Sequence, residues 1–341
     1  MDPTQTRTLG SSGVKVTQLG LGGASYGSLF HQVPEEDAVA AIHAAGDAGI
    51  RFFDTAPWYG RGLSELRTGS GLRYRPRDEF ILSTKIGRWL RHQIPGSNTD
   101  LSPWKAPALF DVVFDYSYDG IMRAYEQSQL RLGLPYYDVA VIHDLDTGYH
   151  QPEAKLQHHF NQLSTSGWRA ILELRAHGYI KAIGAGVNYL GHIPRFMEIV
   201  DLDFFLIAMP YTLLRQEILD VEFPAAVARG MGFVIGAPYQ SGILAAGSKG
   251  ASNADYAPPS AALLAQVEAI EAVCARHGIT LQAAAIQFTL GHPAVASVIP
   301  GARSAAHVQR TVEAFRQPIP ADFWAELKHQ KLLREDAPVP A

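Results

Sequence analysis

Eight short apolar runs, each followed by an amphipathic stretch, constrain the fold of this 341-residue chain more than any other feature. The runs are Gln18–Leu21, Arg51–Phe53, Phe80–Thr84, Val139–Ile142, Ala182–Gly186, Phe204–Ala208, Phe233–Ile235 and Ser297–Ile299. Helical periodicity predicts helices between them, for example over Glu35–Ala48, Ser117–Leu132, Trp168–His177, Leu213–Arg229, Pro259–His277 and Ser304–Phe315. Regular alternation gives a parallel sheet covered by helices, because a parallel return needs a crossover long enough to hold a helix. Eight units fit a closed (β/α)8 TIM barrel, and periodicity alone leaves an open doubly wound sheet as the alternative. Several runs are apolar on both faces, as strands between helices and a barrel interior must be.

Ahead of the first run, Arg7–Leu9 and Lys15–Thr17 flank Gly10-Ser11-Ser12-Gly13. That pattern predicts a β-hairpin, placed to close the barrel floor. Two long connections, Gly87–Tyr116 (with Pro95, Pro103 and Pro107) and the His-rich His143–Gly167, are expected as lids or disordered loops. Both follow C-terminal strand ends, the face where barrel active sites sit. No repeat or linker divides the chain, so a single domain is expected, with short frayed ends that include the tail after Glu335.

Composition narrows the class. Hydrophobic residues make up 47% of the chain, enough for a sizeable core. The net charge of −4 offers no broad surface for a polyanion, so nucleic acid is not expected as a partner. A single cysteine, Cys274, can form neither an internal disulfide nor a CxxC metal site. With no secretory pattern at the N-terminus and no run of membrane-spanning length, the expectation is a cytoplasmic protein that meets no membrane. It is expected to be a monomer or a small homo-oligomer.

The residues just past the strand ends carry the chemistry. After Arg51–Phe53 come Asp54 and, five residues on, Tyr59; Lys85 follows Thr84, and His143 and Asp144 follow Ile142. An acid, a phenol, an amine and an imidazole thus share one end of the expected barrel. A phenol is a poor proton donor at neutral pH, and a neighbouring ammonium lowers its pKa. A carboxylate holds that ammonium charged, and a histidine opposite donates to a carbonyl oxygen where negative charge develops. The set suits hydride addition to a carbonyl with Tyr59 as general acid, or the reverse with Tyr59 as base. Singly, each residue has a plainer reading: a turn cap, a packed aromatic, a solvated charge, a structural histidine. Their coincidence on one face favours the chemical one.

Gly20-Leu21-Gly22-Gly23, Phe53-Asp54-Thr55-Ala56-x-x-Tyr59-Gly60, Ser83-Thr84-Lys85, His143 after an apolar strand, Gly186-Val187-Asn188 and Ile299-Pro300-Gly301 resemble the aldo-keto reductases in order and spacing. The resemblance runs from about Thr8 to Phe315. It implies a tetrad of Asp54, Tyr59, Lys85 and His143. Val141–Asp144, Pro210–Leu214 and Ala237–Leu244 are similar to a group of NAD-dependent aldose dehydrogenases (L-fucose, L-galactose, D-threo-aldose) and to pyridoxal 4-dehydrogenase. These oxidise a hemiacetal alcohol to a lactone.

A GxGxxG fingerprint is not formed, since Gly20-x-Gly22-x-x-Ser25 fails at its last position. Barrel enzymes commonly bind phosphate instead on loops after the seventh and eighth strands. Ser241, Gly242 and Leu244 lie in the first such loop; Gly301, Arg303 and the helix capped by Ser304 form the second. The resemblance adds Gly23, Asp54, His307 and Asn188, the last to hold the nicotinamide carboxamide. It also marks departures. Gly301 stands where relatives that use NADP carry Lys, Arg310-Thr311 replaces a Glu-Asn pair near the adenine, and Ala208 and Gly236 replace a Gln and a stacking Tyr. NAD is therefore expected over NADP, with Arg303 a partial substitute for the missing phosphate ligand.

Tyr26, Trp58, Trp89, Asp144 and Tyr239 are the expected substrate wall, with His143; Asp144 is either a hydroxyl acceptor or a loop cap. Aromatic faces with a few polar groups suit an aldose ring, the first expectation, or pyridoxal. Two readings from other classes stand beside it: a Schiff-base lyase using Lys85, and a cofactor-binding regulatory subunit. No metal site is expected.

Overall fold

The computed structural model describes every residue except Pro95, Ser97, Asn98 and Ala341, so Pro95 of the first long connection lies outside the described residues. The chain opens with an antiparallel hairpin, β1 (Thr6–Thr8) and β2 (Lys15–Thr17), in which Thr6 faces Thr17. Ten strands follow in order: β3 (Leu21–Gly22), β4 (Phe52–Asp54), β5 (Ile81–Ile86), β6 (Arg88–His92), β7 (Phe110–Phe114), β8 (Val139–Ile142), β9 (Ala182–Val187), β10 (Phe204–Ala208), β11 (Gly232–Gly236) and β12 (Val295–Ile299). Eight of them pair in parallel in the order β3-β4-β5-β8-β9-β10-β11-β12. Leu19 bridges Val298 and Gly22 bridges Gly301, both in parallel, and Gly20 N donates to the Val298 carbonyl at 2.9 Å. These contacts close the (β/α)8 barrel.

Burial explains the two-faced apolar runs. One cluster fills the inside of the barrel, where Phe52, Val141, Phe204 and Val234 meet Leu9, Val14 and Val16 of the hairpin. The hairpin thus plugs the floor, as its sequence suggests. A second, larger cluster lies between strands and helices. In the helix Glu35–Asp47, Ala38, Ala41, Ile42 and Ala45 form the buried stripe. Three acidic residues in its first turn suit the positive end of the helix dipole.

Four expectations need correction. Gly87–Tyr116 is not an irregular lid throughout, because β6 and β7 pair antiparallel, with Arg88 opposite Phe114. Gly87 makes the turn out of β5 with φ 89°, and a Cβ there would lie 2.4 Å from the Tyr116 ring. Within His143–Gly167, Glu153–Gln162 is helical and runs through a wider turn at Leu163–Gly167 into the helix Trp168–Ala176. Of Leu213–Arg229, only Glu222–Ala228 is α-helical. Gln216 Nε2 donates to the Thr212 and Leu213 carbonyls, and such side-chain bonds compete with helix. The tail is not frayed over its whole length: Ala337 is buried and Val339 packs on the core.

Candidate active site

The C-terminal strand ends open into a cleft of about 1400 Å³. Asp54, the last residue of β4, and Lys85, near the end of β5, meet at its base, both buried. Lys85 Nζ lies 2.6 and 2.7 Å from the two Asp54 carboxylate oxygens and 2.9 Å from the Thr55 carbonyl. The Ser83 hydroxyl donates to Asp54 at 2.8 Å. Three oxygen acceptors thus surround Lys85 Nζ and hold it against Asp54.

Tyr59 stands above this pair on the turn after Trp58. Its ring centroid is 5.4 Å from Lys85 Nζ and 5.9 Å from the His143 ring, and Trp104 packs on it at 5.8 Å. Acid, amine, phenol and imidazole thus come together as their sequence positions suggest. Their electrostatics differ from the expectation. Burial, then Asp54 and Asp144, hold the Tyr59 phenol well above its usual pKa. Lys85 spends its charge on Asp54, so the phenol stays protonated. Burial, then Arg88 and Lys85, hold His143 well below the usual histidine range, so its imidazole is neutral.

Asp144 follows His143 with φ 47°, a left-handed conformation uncommon for a non-glycine residue and enriched at functional sites. Its carboxylate is ion-paired to the buried guanidinium of Arg88, 3.3 Å from His143 Nε2, and takes a 2.7 Å hydrogen bond from Asn188 Nδ2. A further 3.1 Å bond joins Asn188 Nδ2 to Asp146. Arg88 itself lies over the rings of Tyr149, Phe114 and Trp58, at 4.3, 4.5 and 5.4 Å. Arg88, and not the expected Trp89, is the β6 residue that reaches the site. Alternation on β6 turns Arg88 inward, while Trp89 points to the helix Tyr118–Leu132 and carries Arg123 4.5 Å from its ring.

The other wall residues divide. Trp58 lines the cleft, packed edge-on against Trp104 at 5.5 Å. Tyr26 does not; it is fully buried, with its hydroxyl 3.0 Å from Thr68. Tyr239 lines the cleft at the far end, where its hydroxyl meets Thr311. Tyr149, Tyr189 and Tyr256 were not foreseen. The last comes from the segment after Gly247 and packs on Phe30 across the cleft, ring centroids 6.1 Å apart.

The lining also includes Gly23 and Asn188, beside Asp54 and Asp144, and Ser241, Gly242, Gly301, Arg303 and His307, joined by Ala208, Gly236, Arg310, Thr311 and Glu313. Ser304 caps the helix Ala305–Arg316, accepting from the His307 N–H. Neither Arg303 nor Arg310 has an ion-pair partner among the described residues, a donor set that fits a pyrophosphate-bearing dinucleotide. Leu244 departs from expectation. Its side chain is in the core, and its N–H, like that of Gly242, donates to the Tyr239 carbonyl.

The chain is similar to known proteins over nearly its whole length. Residues 18–331 match the Aldo/keto reductase family. The chain is 40% identical to a pyridoxal 4-dehydrogenase of Microbacterium luteolum, over 97% of its own length and 98% of that protein's. It is 36% identical to a D-threo-aldose 1-dehydrogenase of a Pseudomonas species, over 95% and 96% of the two chains. In structure it is similar to an aldo-keto reductase from Bacillus halodurans, with a TM-score of 0.71, 23% identity and coverage of 99% and 98%. A barrel of this topology, with the family match running through nearly all of it, places the chain in the aldo/keto reductase family.

Proposed function

We propose that this chain oxidises the hemiacetal carbinol of a small cyclic substrate to a lactone, passing hydride to NAD. The observation that carries the reading is the convergence of Asp54, Tyr59, Lys85 and His143 at the base of a cleft whose other end presents Arg303, His307 and Arg310. When bound, the nicotinamide supplies the hydride acceptor. Everything else falls to the chain. Tyr59 takes the carbinol proton in oxidation and returns it in reduction, while neutral His143 donates to the substrate oxygen. Lys85 and Asp54 fix the floor beneath Tyr59. Glu313, beside the two arginines, suits the free hydroxyls of an unphosphorylated ribose and opposes a 2′-phosphate, which supports NAD over NADP.

For the substrate, a flat aromatic hemiacetal, the cyclic form of pyridoxal, is the better fit. The wall is aromatic, with Trp58, Trp104, Tyr149, Tyr189 and Tyr256. Asp144, the acid expected to read a sugar hydroxyl, is already engaged by Arg88 and Asn188. The name of the 40% relative supports the same choice. An aldose is the second reading, favoured by Arg215, Asn253 and Asp255 at the mouth, where polar groups can meet ring hydroxyls. Initial rates with NAD and with NADP against pyridoxal, L-fucose, L-galactose and D-arabinose test both. NADH formation with pyridoxal alone carries the first reading, and turnover of a sugar with pyridoxal inert replaces it by the second. Silence on all four with either cofactor overturns hemiacetal oxidation.

A further inference from the structure

The tetrad leaves unexplained a fully buried arginine that reaches the site from outside the barrel. Arg88 belongs to the β6–β7 ribbon, which among the described residues is a sheet separate from the barrel, yet its guanidinium meets Asp144 beside His143. A buried ion pair is costly to form, and apolar side chains in its place often stabilise a protein at least as well. Its value here lies in what the carboxylate touches. We infer that Arg88 and Asp144 are positioning residues: the pair holds an acceptor that fixes His143 as the Nε2–H tautomer and turns the Asn188 amide so that Oδ1 faces the cleft.

Both halves follow from hydrogen-bond chemistry. His143 Nε2 lies 3.3 Å from an Asp144 oxygen without hydrogen-bond alignment, so the carboxylate's charge favours a proton on that nitrogen and leaves the N–H free for a substrate oxygen in the cleft. The other ring nitrogen, Nδ1, is buried with no hydrogen-bond partner among the described residues. A lone pair is cheaper to leave there than an N–H, since an orphaned buried donor carries the full desolvation cost. The Asn188 amide is fixed by two carboxylates. Nδ2 lies 2.7 Å from Asp144 and 3.1 Å from Asp146, and the opposite flip would set an oxygen against both. Its Oδ1 is thereby left to accept from an amide N–H in the cleft, the group a nicotinamide carboxamide carries. Burial pushes the Asp144 carboxyl up to about 6, against the pull of Arg88. Arg88 is therefore what keeps the acceptor ionised near neutrality. The aromatic rings around Arg88 exclude water that would otherwise screen the pair.

The inference rests on the hydride-transfer reading only for the purpose of the two orientations; the tautomer itself is read without substrate or cofactor. The experiment is long-range 1H–15N correlation on the full chain labelled with 15N-histidine. His143→Gln assigns the signal, and the wild type is compared with Arg88→Lys and with the double variant Arg88→Met/Asp144→Ala. The double variant removes both charges together, so no unpaired ion is left buried. Wild type and Arg88→Lys are expected to show the Nε2–H form, and the double variant a tautomer mixture. An Nδ1–H form in the wild type, or a double variant with the wild-type tautomer, overturns the inference for His143. NADH titration, followed by tryptophan fluorescence, reads Asn188: affinity is expected to fall roughly tenfold in the double variant, one lost hydrogen bond's worth. Equal affinity overturns that half. A wild type inert toward every hemiacetal would fail the functional reading and leave the tautomer result standing.

Discussion

Lys85 grips Asp54 through both carboxylate oxygens, at 2.6 and 2.7 Å, in a place where each side chain is almost wholly removed from water. Breaking such a pair from one side is worse than removing it. Lys85→Met leaves a buried carboxylate uncompensated and is expected to cost about 3–5 kcal/mol of stability. Lys85→Met/Asp54→Leu should recover much of that loss and still lack turnover. Urea denaturation of the two variants decides it. A double variant as unstable as the single one would mean that the pair is held by more than charge.

Tyr59→Phe removes one hydroxyl and leaves the ring contacts to Trp104 and His143 in place. If Tyr59 carries the proton, turnover should fall by roughly 10²–10⁴-fold, the usual contribution of a positioned acid or base. Cofactor affinity should stay unchanged. A variant as active as the wild type would remove Tyr59 from the chemistry.

How much of this was legible in the sequence depended on what signal each element carried. Each of the eight barrel strands overlaps one of the eight apolar runs, and the tetrad residues lie at or just past the ends of three of them. Arg88 had no such signal. Arg88–His92 reads Arg-Trp-Leu-Arg-His, a charged stretch among prolines, and only pairing with β7 makes it a strand. Once it is a strand, alternation decides that the arginine and not the tryptophan faces the site. Glu153–Gln162 was missed for a related reason: Leu156 and Phe160 are its only large apolar residues, too few for a clear period. Tyr256 was invisible because its contact with Phe30 spans more than half the chain, and no local pattern encodes that meeting.

The pH dependence follows from the shifts at Tyr59 and His143. Burial and two carboxylates raise the phenol's pKa, so below it the phenolate fraction grows tenfold for each pH unit. Oxidation, which uses the phenolate, should therefore accelerate with pH through the neutral range and into the alkaline one. Reduction uses the protonated phenol and should stay nearly flat there. His143 is already neutral, since its pKa is lowered, and adds no step near pH 6.5. Rate profiles measured in both directions test this, and an oxidation rate independent of pH between 6 and 9 would contradict it.

Tyr256→Ala opens the roof over the cleft by removing the ring that meets Phe30. A substrate bound by its aromatic face should lose affinity by roughly tenfold, a stacking contact of about 1 kcal/mol or slightly more. A sugar held at its hydroxyls should be affected less. KM for pyridoxal measured beside KM for the best sugar separates these outcomes, and a larger loss for the sugar would favour the polar mouth as the binding surface.

Arg303 tests the far end of the cleft. It lines the cleft beside His307 and Arg310, and Glu313 stands close by as the one carboxylate of that helix in the lining. Arg303→Ala should weaken NADP(H) more than NAD(H) if the guanidinium is the nearest substitute for the lysine absent at Gly301. The charge-assisted bond at stake is worth about 1.5–3 kcal/mol, so the loss for NADP(H) is expected at roughly 10–100-fold. NAD(H), which lacks the 2′-phosphate, should change by only a few-fold. The companion substitution Glu313→Gln should act in the opposite sense, easing NADP(H) binding by removing a like charge and weakening NAD(H) by removing a ribose acceptor. Equal losses for both cofactors in Arg303→Ala would move Arg303 from the 2′ position to the pyrophosphate, where both dinucleotides are the same.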